Sequence, residues 1–135
     1  MNASVETPEL LHALTDIFTP VSGMEDLVAR LASTDLRLIL LSNTCRAHLE
    51  HIRSHFHVLS YFDAVTVSYE VGAMKPDEAI YLDAIAKAGC RPDECFYTDD
   101  IAAYVSAARK LKIHAAEFTG TDELRHRLAE HGIQT

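Results

Sequence analysis

Apolar residues recur along this chain in two alternating rhythms. Residues 8–18 carry Leu10, Leu11, Leu14, Ile17 and Phe18 at the three-and-four spacing of an amphipathic helix. Thr19-Pro20-Val21 breaks that spacing. Ser22, with Glu25 three residues on, reads as a capping box. Met24, Leu27, Val28 and Leu31 then form one stripe, which predicts a helix over 23–33. Leu36 to Leu41 is apolar apart from Arg37, as suits a strand buried on both faces. Helical spacing returns over 45–56 through Leu49, Ile52 and Phe56. Residues 64–68 (Ala-Val-Thr-Val-Ser) read as the next strand. Lys75-Pro76-Asp77 opens another helix, with proline in a first-turn position and Gly89 as its C-terminal cap. Residues 95–98 predict a short strand and 101–111 a helix through Val105, Ala108 and Leu111. Residues 113–118 predict a last strand, and 122–131 a last helix with Leu124 and Leu128 inward.

Strands and helices that alternate in this way build an α/β layer with right-handed crossovers. The expected fold is a Rossmann-like parallel sheet of about four strands flanked by helices. Residues 1–135 suit one domain, since a chain of this length buries roughly two-thirds of its unfolded surface. The formal charge of −8 argues against nucleic acid or an anionic membrane as partner, because both need basic patches. The three cysteines, Cys45, Cys90 and Cys95, are odd in number and lack a Cys-x-x-Cys spacing, so neither a disulfide framework nor a zinc knuckle is expected. Buried or half-buried thiols in a reducing cytoplasm fit that usage. No apolar run approaches 18 residues and no basic-then-apolar leader opens the chain, so the expectation is a cytoplasmic protein without a membrane span.

In parallel sheets ligands lie beyond the carboxyl ends of the strands. Three polar groups fall at or near such ends here. Ser42-Asn43-Thr44 closes the first apolar run; its hydroxyls and the amides that follow could hold an anion, or could simply cap a helix. Lys75, extended because Pro76 follows, could neutralise a phosphate or a carboxylate, or be a solvated lysine. Asp99-Asp100 ends a strand, where adjacent acids are costly unless a cation or several donors satisfy them. A hard cation such as Mg²⁺ takes carboxylate oxygens and keeps some waters. His51 and His55, four apart, read as a solvated helix face, since two ligands do not make a specific metal site.

The stretches Leu40-Leu41-Ser42-Asn43-Thr44, Tyr61-Phe62-Asp63, Ser68-Tyr69-Glu70-Val71-Gly72, Lys75-Pro76-Asp77 with Ile80-Tyr81, and Asp99-Asp100 with Ala107-Ala108-Arg109 together resemble the haloacid dehalogenase (HAD) superfamily. The likeness runs over about residues 18–118 and is greatest to the phosphatase-like branch with a helical cap. It implies a Rossmann-like core and Mg²⁺-dependent hydrolysis of a small phosphorylated molecule. In such proteins an aspartate on the first strand attacks phosphorus. Ser42 would be the phosphate-binding hydroxyl, with Asn43 beside it in the substrate site. Lys75 would stabilise nucleophile and phosphate, and Asp99 and Asp100 would hold Mg²⁺. Positioning and charge neutralisation dominate phosphoryl transfer, and a carboxylate is an established covalent nucleophile.

The sequence also departs from that pattern. The opening Asp-x-Asp is absent; the nearest match, Asp16-Ile17-Phe18-Thr19, has Phe18 where the second acid belongs. Residues 1–17 resemble the end of a cap and its return linker, and 18–135 the core. Tyr104 stands where many relatives have Asn, and Lys112 where many have Gly. Three expectations follow: a hydrolase-like domain that is inactive or weakly active alone, a fragment of a two-part or truncated phosphatase, or a non-catalytic module that dimerises. A missing first strand would expose the inner edges of the strands at 36–41 and 95–98, which are then expected to pair directly or to admit a complementing chain.

Overall fold

The computed structural model describes residues 23–55, 57–133 and 135. The expected helix at 8–18, Ser22 of the capping box and the Asp16 stretch lie outside them. Ten regular elements follow: α1 (Met24–Ala32), β1 (Ile39–Ser42), α2 (Arg46–His55), β2 (Ala64–Val67), α3 (Ser68–Val71), α4 (Glu78–Ala88), β3 (Phe96–Asp99), α5 (Ala102–Lys110), β4 (His114–Glu117) and α6 (Thr121–Glu130). Single 3₁₀ turns at His57–Tyr61 and Pro92–Glu94 lead into β2 and β3.

Both strand pairs are parallel, as the alternating order predicts. Ile39 pairs with Ala64 and Ser42 with Val67; Phe96 pairs with His114 and Asp99 with Glu117. β1 and β3 are buried at every position, which fits the apolar run Ile39 to Leu41 and the Phe96-Tyr97 start of β3. Leu27, Val28 and Leu31 of α1 pack with Phe96, Leu124 and Leu128 into one core cluster. Ile39, Leu41, Tyr97, Ile80, Tyr81 and Val105 form a second, on the face covered by α4 and α5. Each such side chain, fully buried, contributes roughly 1.5–3 kcal/mol.

The sheet is nonetheless in two halves. β1 pairs with β2 and β3 with β4, and among the described residues β1 and β3 do not pair with each other. The expected direct closure of their inner edges therefore does not occur. The Lys75 ammonium lies between them, 3.4 Å from the Leu41 carbonyl oxygen on β1 and 2.8 Å from Asp99 Oδ2 on β3, in space that direct pairing would close.

Three boundaries differ from expectation. β1 begins at Ile39, because Leu38 gives its N–H to Asp63 Oδ2 at 2.7 Å rather than to a ladder, and Arg37 turns out to donate to the Lys87 carbonyl. α1 is capped by Gly23 in the left-handed region at φ 77°, without a side-chain cap. α4 starts at Glu78 with Asp77 as its cap, so Pro76 precedes the first turn instead of occupying it.

Candidate active site at the strand ends

Lys75 joins Asn43 and Asp99 at the carboxyl ends of β1 and β3, and Ser42 is the last residue of β1. Asp99 is the last residue of β3 and is buried; its Oδ2 accepts from Lys75 Nζ at 2.8 Å and from the Tyr97 hydroxyl at 2.7 Å. Its Oδ1 accepts from the Ile101 N–H at 3.2 Å. Burial, the largest single influence, would raise the Asp99 carboxyl, but the Lys75 charge together with hydrogen bonding with Lys75, Asp100 and Tyr97 outweighs it, and the net direction is downward. Tyr97 moves the opposite way. Its phenol is pushed up, first by burial and then by the negative charge of Asp99 and the neighbouring Tyr81, so it stays a hydrogen-bond donor. Asp99 is thus a carboxylate with an ammonium as internal counter-ion, the arrangement that makes a buried charge tolerable.

Lys75 is itself tightly placed, with only 3% of its surface exposed. Asn43 grips its backbone from both sides: the Lys75 N–H donates to Asn43 Oδ1 at 2.7 Å, and Asn43 Nδ2 donates to the Lys75 carbonyl at 3.2 Å. The ammonium lies 5.0 Å from the centre of the Tyr104 ring, within cation–π range. Tyr104 is tied in turn to Asn43 Nδ2 through its hydroxyl at 3.4 Å and to the Tyr81 hydroxyl through its carbonyl at 2.8 Å. Asn43 therefore links β1 to the lysine rather than capping α2. Thr44 belongs to a second link, its N–H donating to Ser68 Oγ at 2.8 Å while Ser68 Oγ donates back to its carbonyl at 2.9 Å. Ser42 Oγ is fully buried and has no hydrogen-bond partner among the described residues. Such a group costs about 1–3 kcal/mol, which is bearable where a ligand supplies the missing bond.

Asp100 is exposed at the start of the loop after β3. Asp99 and Asp100 are the adjacent acids at this strand end, and among the described residues no group of three or more His, Cys, Asp or Glu side chains gathers for a metal. Mg²⁺ binds through one or two carboxylates when substrate phosphate and water complete its shell. The residues therefore fit an ion held jointly with a phosphate better than a resident one. His51 is exposed on α2, and the His55 side chain lies outside the described residues.

Two contributors were not singled out from the sequence: Tyr97 as a donor to Asp99, and Tyr104 as the ring over Lys75. Tyr97 had a signal, since residues two apart on a strand share a face. Tyr104 had none of that kind, because its contact depends on how α5 meets the Lys75 loop. Lys112 adopts φ 72°, the left-handed conformation for which glycine is best suited.

A family model described as "Haloacid dehalogenase-like hydrolase" matches residues 6–118. The chain belongs to the haloacid dehalogenase-like hydrolases. This HAD domain is 25% identical over 116 residues to flavin mononucleotide hydrolase 1 of Arabidopsis thaliana, an alignment that spans 86% of the chain and 47% of the plant protein. A HAD family enzyme of Bacteroides thetaiotaomicron, solved with magnesium and inorganic phosphate, is 28% identical with a TM-score of 0.66, over 76% of this chain and 54% of that one. An uncharacterized protein of Corynebacterium glutamicum superposes with a TM-score of 0.79 over 97% of this chain and 98% of its own; at 18% identity it speaks for the fold. The HAD domain spans about half the length of the curated relative it matches. No described helix is long and apolar enough to cross a membrane.

Proposed function

We propose that this HAD domain binds the phosphate group of a small phosphorylated molecule at the Ser42–Asn43–Lys75 end of its sheet, and that by itself it hydrolyses phosphate esters weakly or not at all. The observation that carries the reading is the Lys75 ammonium held between Asp99 on β3 and the carbonyl of Leu41 on β1, the residue before Ser42, whose buried hydroxyl has no partner among the described residues. Lys75 supplies positive charge fixed in a dry site, where it acts most strongly on a developing or transferred anion. Ser42 Oγ supplies a donor, once the ligand displaces whatever encloses it. Mg²⁺, held by Asp100 and Asp99 Oδ1, would neutralise phosphate charge when bound.

Attack on phosphorus needs a further carboxylate. Asp99 is committed to Lys75, Tyr97 and Ile101. Asp100 is the other acid at that strand end. A second reading, that the attacking carboxylate arrives on a complementing chain, is favoured by the lack of pairing between β1 and β3 among the described residues and by the half-length match. Flavin mononucleotide is a rational test substrate, given the name of the Arabidopsis relative.

The test is an NMR titration of the chain with inorganic phosphate, with and without Mg²⁺, beside turnover assays on flavin mononucleotide and a generic phosphate ester. The expected outcome is phosphate-induced shifts at Ser42, Asn43 and Lys75, strengthened by Mg²⁺, with turnover near background. Turnover that disappears on Asp99→Asn would overturn the proposed weakness of the isolated domain. Unperturbed amides at all three residues would overturn the binding site itself.

A further inference from the structure

Far from the strand ends, the turn between α4 and β3 brings two thiols together. Cys90 Sγ and Cys95 Sγ are 3.1 Å apart. A disulfide bond is about 2.05 Å long, so the sulfurs need approach by only about 1 Å to bond. The turn that sets this distance is well held. Cys90 follows Gly89, which ends α4 in the left-handed region at φ 72°. The Arg91 N–H donates to Glu94 Oε1 at 2.9 Å, the Glu94 N–H returns to the Arg91 carbonyl at 2.9 Å, and the Cys95 N–H donates to the Pro92 carbonyl at 3.0 Å. Cys95 is buried in the core at the entrance to β3, whereas Cys90 is half-exposed. Cys45 is exposed at the opposite end of the sheet, beside Thr44.

We propose that Cys90 and Cys95 are a redox-reactive pair, which a peroxide closes to a disulfide and a small thiol reopens. The exposures assign the order of events. The Cys90 thiolate attacks one oxygen of the peroxide, the O–O bond breaks, and water leaves after protonation, with Cys90 now a sulfenic acid. The Cys95 thiolate then attacks the Cys90 sulfur and expels the second oxygen as water. Both cysteines are oxidised, two electrons pass to the peroxide, and a dithiol such as dithiothreitol reverses the reaction by exchange. The closed bridge clips the C-terminal end of α4 to the first residues of β3. Those are the two elements whose opposite ends lie at the Lys75 loop and at Asp99.

The experiment is peptide mapping of the full chain after treatment with hydrogen peroxide at about pH 8.5, near the ordinary thiol pKa, where the reactive thiolate form of cysteine is populated. Trypsin leaves Cys90 and Cys95 in one peptide, residues 88–109, since Arg91 precedes Pro92. The expected result is that this peptide becomes two hydrogens lighter and resists alkylation, while Cys45 stays alkylatable and dithiothreitol restores the thiols. Cys45→Ser should leave the reaction unchanged, and Cys95→Ala should halt it at a Cys90 sulfenic acid that dimedone traps. Three thiols still alkylatable after peroxide, or a bridge that involves Cys45 within or between chains, would overturn the proposal.

Discussion

Replacing Lys75 by Met keeps the length and most of the apolar stem of the side chain but removes the ammonium. Asp99 is then left 1% exposed, with the Tyr97 hydroxyl and the Ile101 N–H as its remaining donors among the bonds described. Breaking a buried pair on one side costs about 3–5 kcal/mol, because the surviving charge is uncompensated. With an m-value of about 2 kcal/mol/M, the urea midpoint at pH 8 falls by about 2 M. The loss should also depend on pH in a definite sense. In the parent chain the Asp99 carboxyl is held below its ordinary value, so its stabilising contribution is constant from pH 8 to 5 and is lost only as pH falls through the folded value. In Lys75→Met burial is no longer opposed by the ammonium and raises the carboxyl above its unfolded value. The penalty is then full at high pH and shrinks as pH falls and the carboxyl protonates. The assay is urea unfolding followed by circular dichroism at pH 8, 6.5 and 5, each with the parent as reference. A difference below about 1 kcal/mol at pH 8, or one that does not shrink towards pH 5, would refute the internal counter-ion argument.

Asn43→Ala removes the two-sided grip on the Lys75 backbone and should cost about 1–3 kcal/mol in urea unfolding, with weaker phosphate-induced NMR shifts at Lys75. His131 is held below the ordinary imidazole value, first by burial and then by His114, against an opposing pull from Glu130. Its folded value lies below its unfolded one, so stability falls as pH drops from about 6.5 through the folded value, and His131→Gln should flatten that slope. Gly89→Ala forces a Cβ into φ 72° and should lower stability by about 1 kcal/mol, although no atom lies within 4 Å of the added methyl.

Much of the fold was legible because burial on both faces leaves a plain mark. Leu38 to Leu41 and Phe96-Tyr97 are apolar without alternation, and the stripes of α1, α5 and α6 carry the 3.6-residue period. The short helix at Ser68–Val71 escaped, since Tyr69 and Val71 favour strand and its form depends on Gly72 and the Ser68 carbonyl. The site residues were legible as types at strand ends. Their partnering was not. Nothing in the spacing says that Asn43 would hold the Lys75 backbone or that Asp99 would pair with the Lys75 ammonium, because both depend on side-chain geometry across segments 24 to 32 residues apart. The split of the sheet was equally hidden, since local periodicity describes a strand and not its neighbour.

That split has a consequence for how the molecule breathes. Each βαβ unit closes its own ladder, and among the described residues the halves are bridged by side chains and one ammonium rather than by a shared row of amide bonds. Native-state deuterium uptake should therefore sort the strand amides into two kinetic classes, one for 39–42 with 64–67 and one for 96–99 with 114–117, each opening as its own cooperative block.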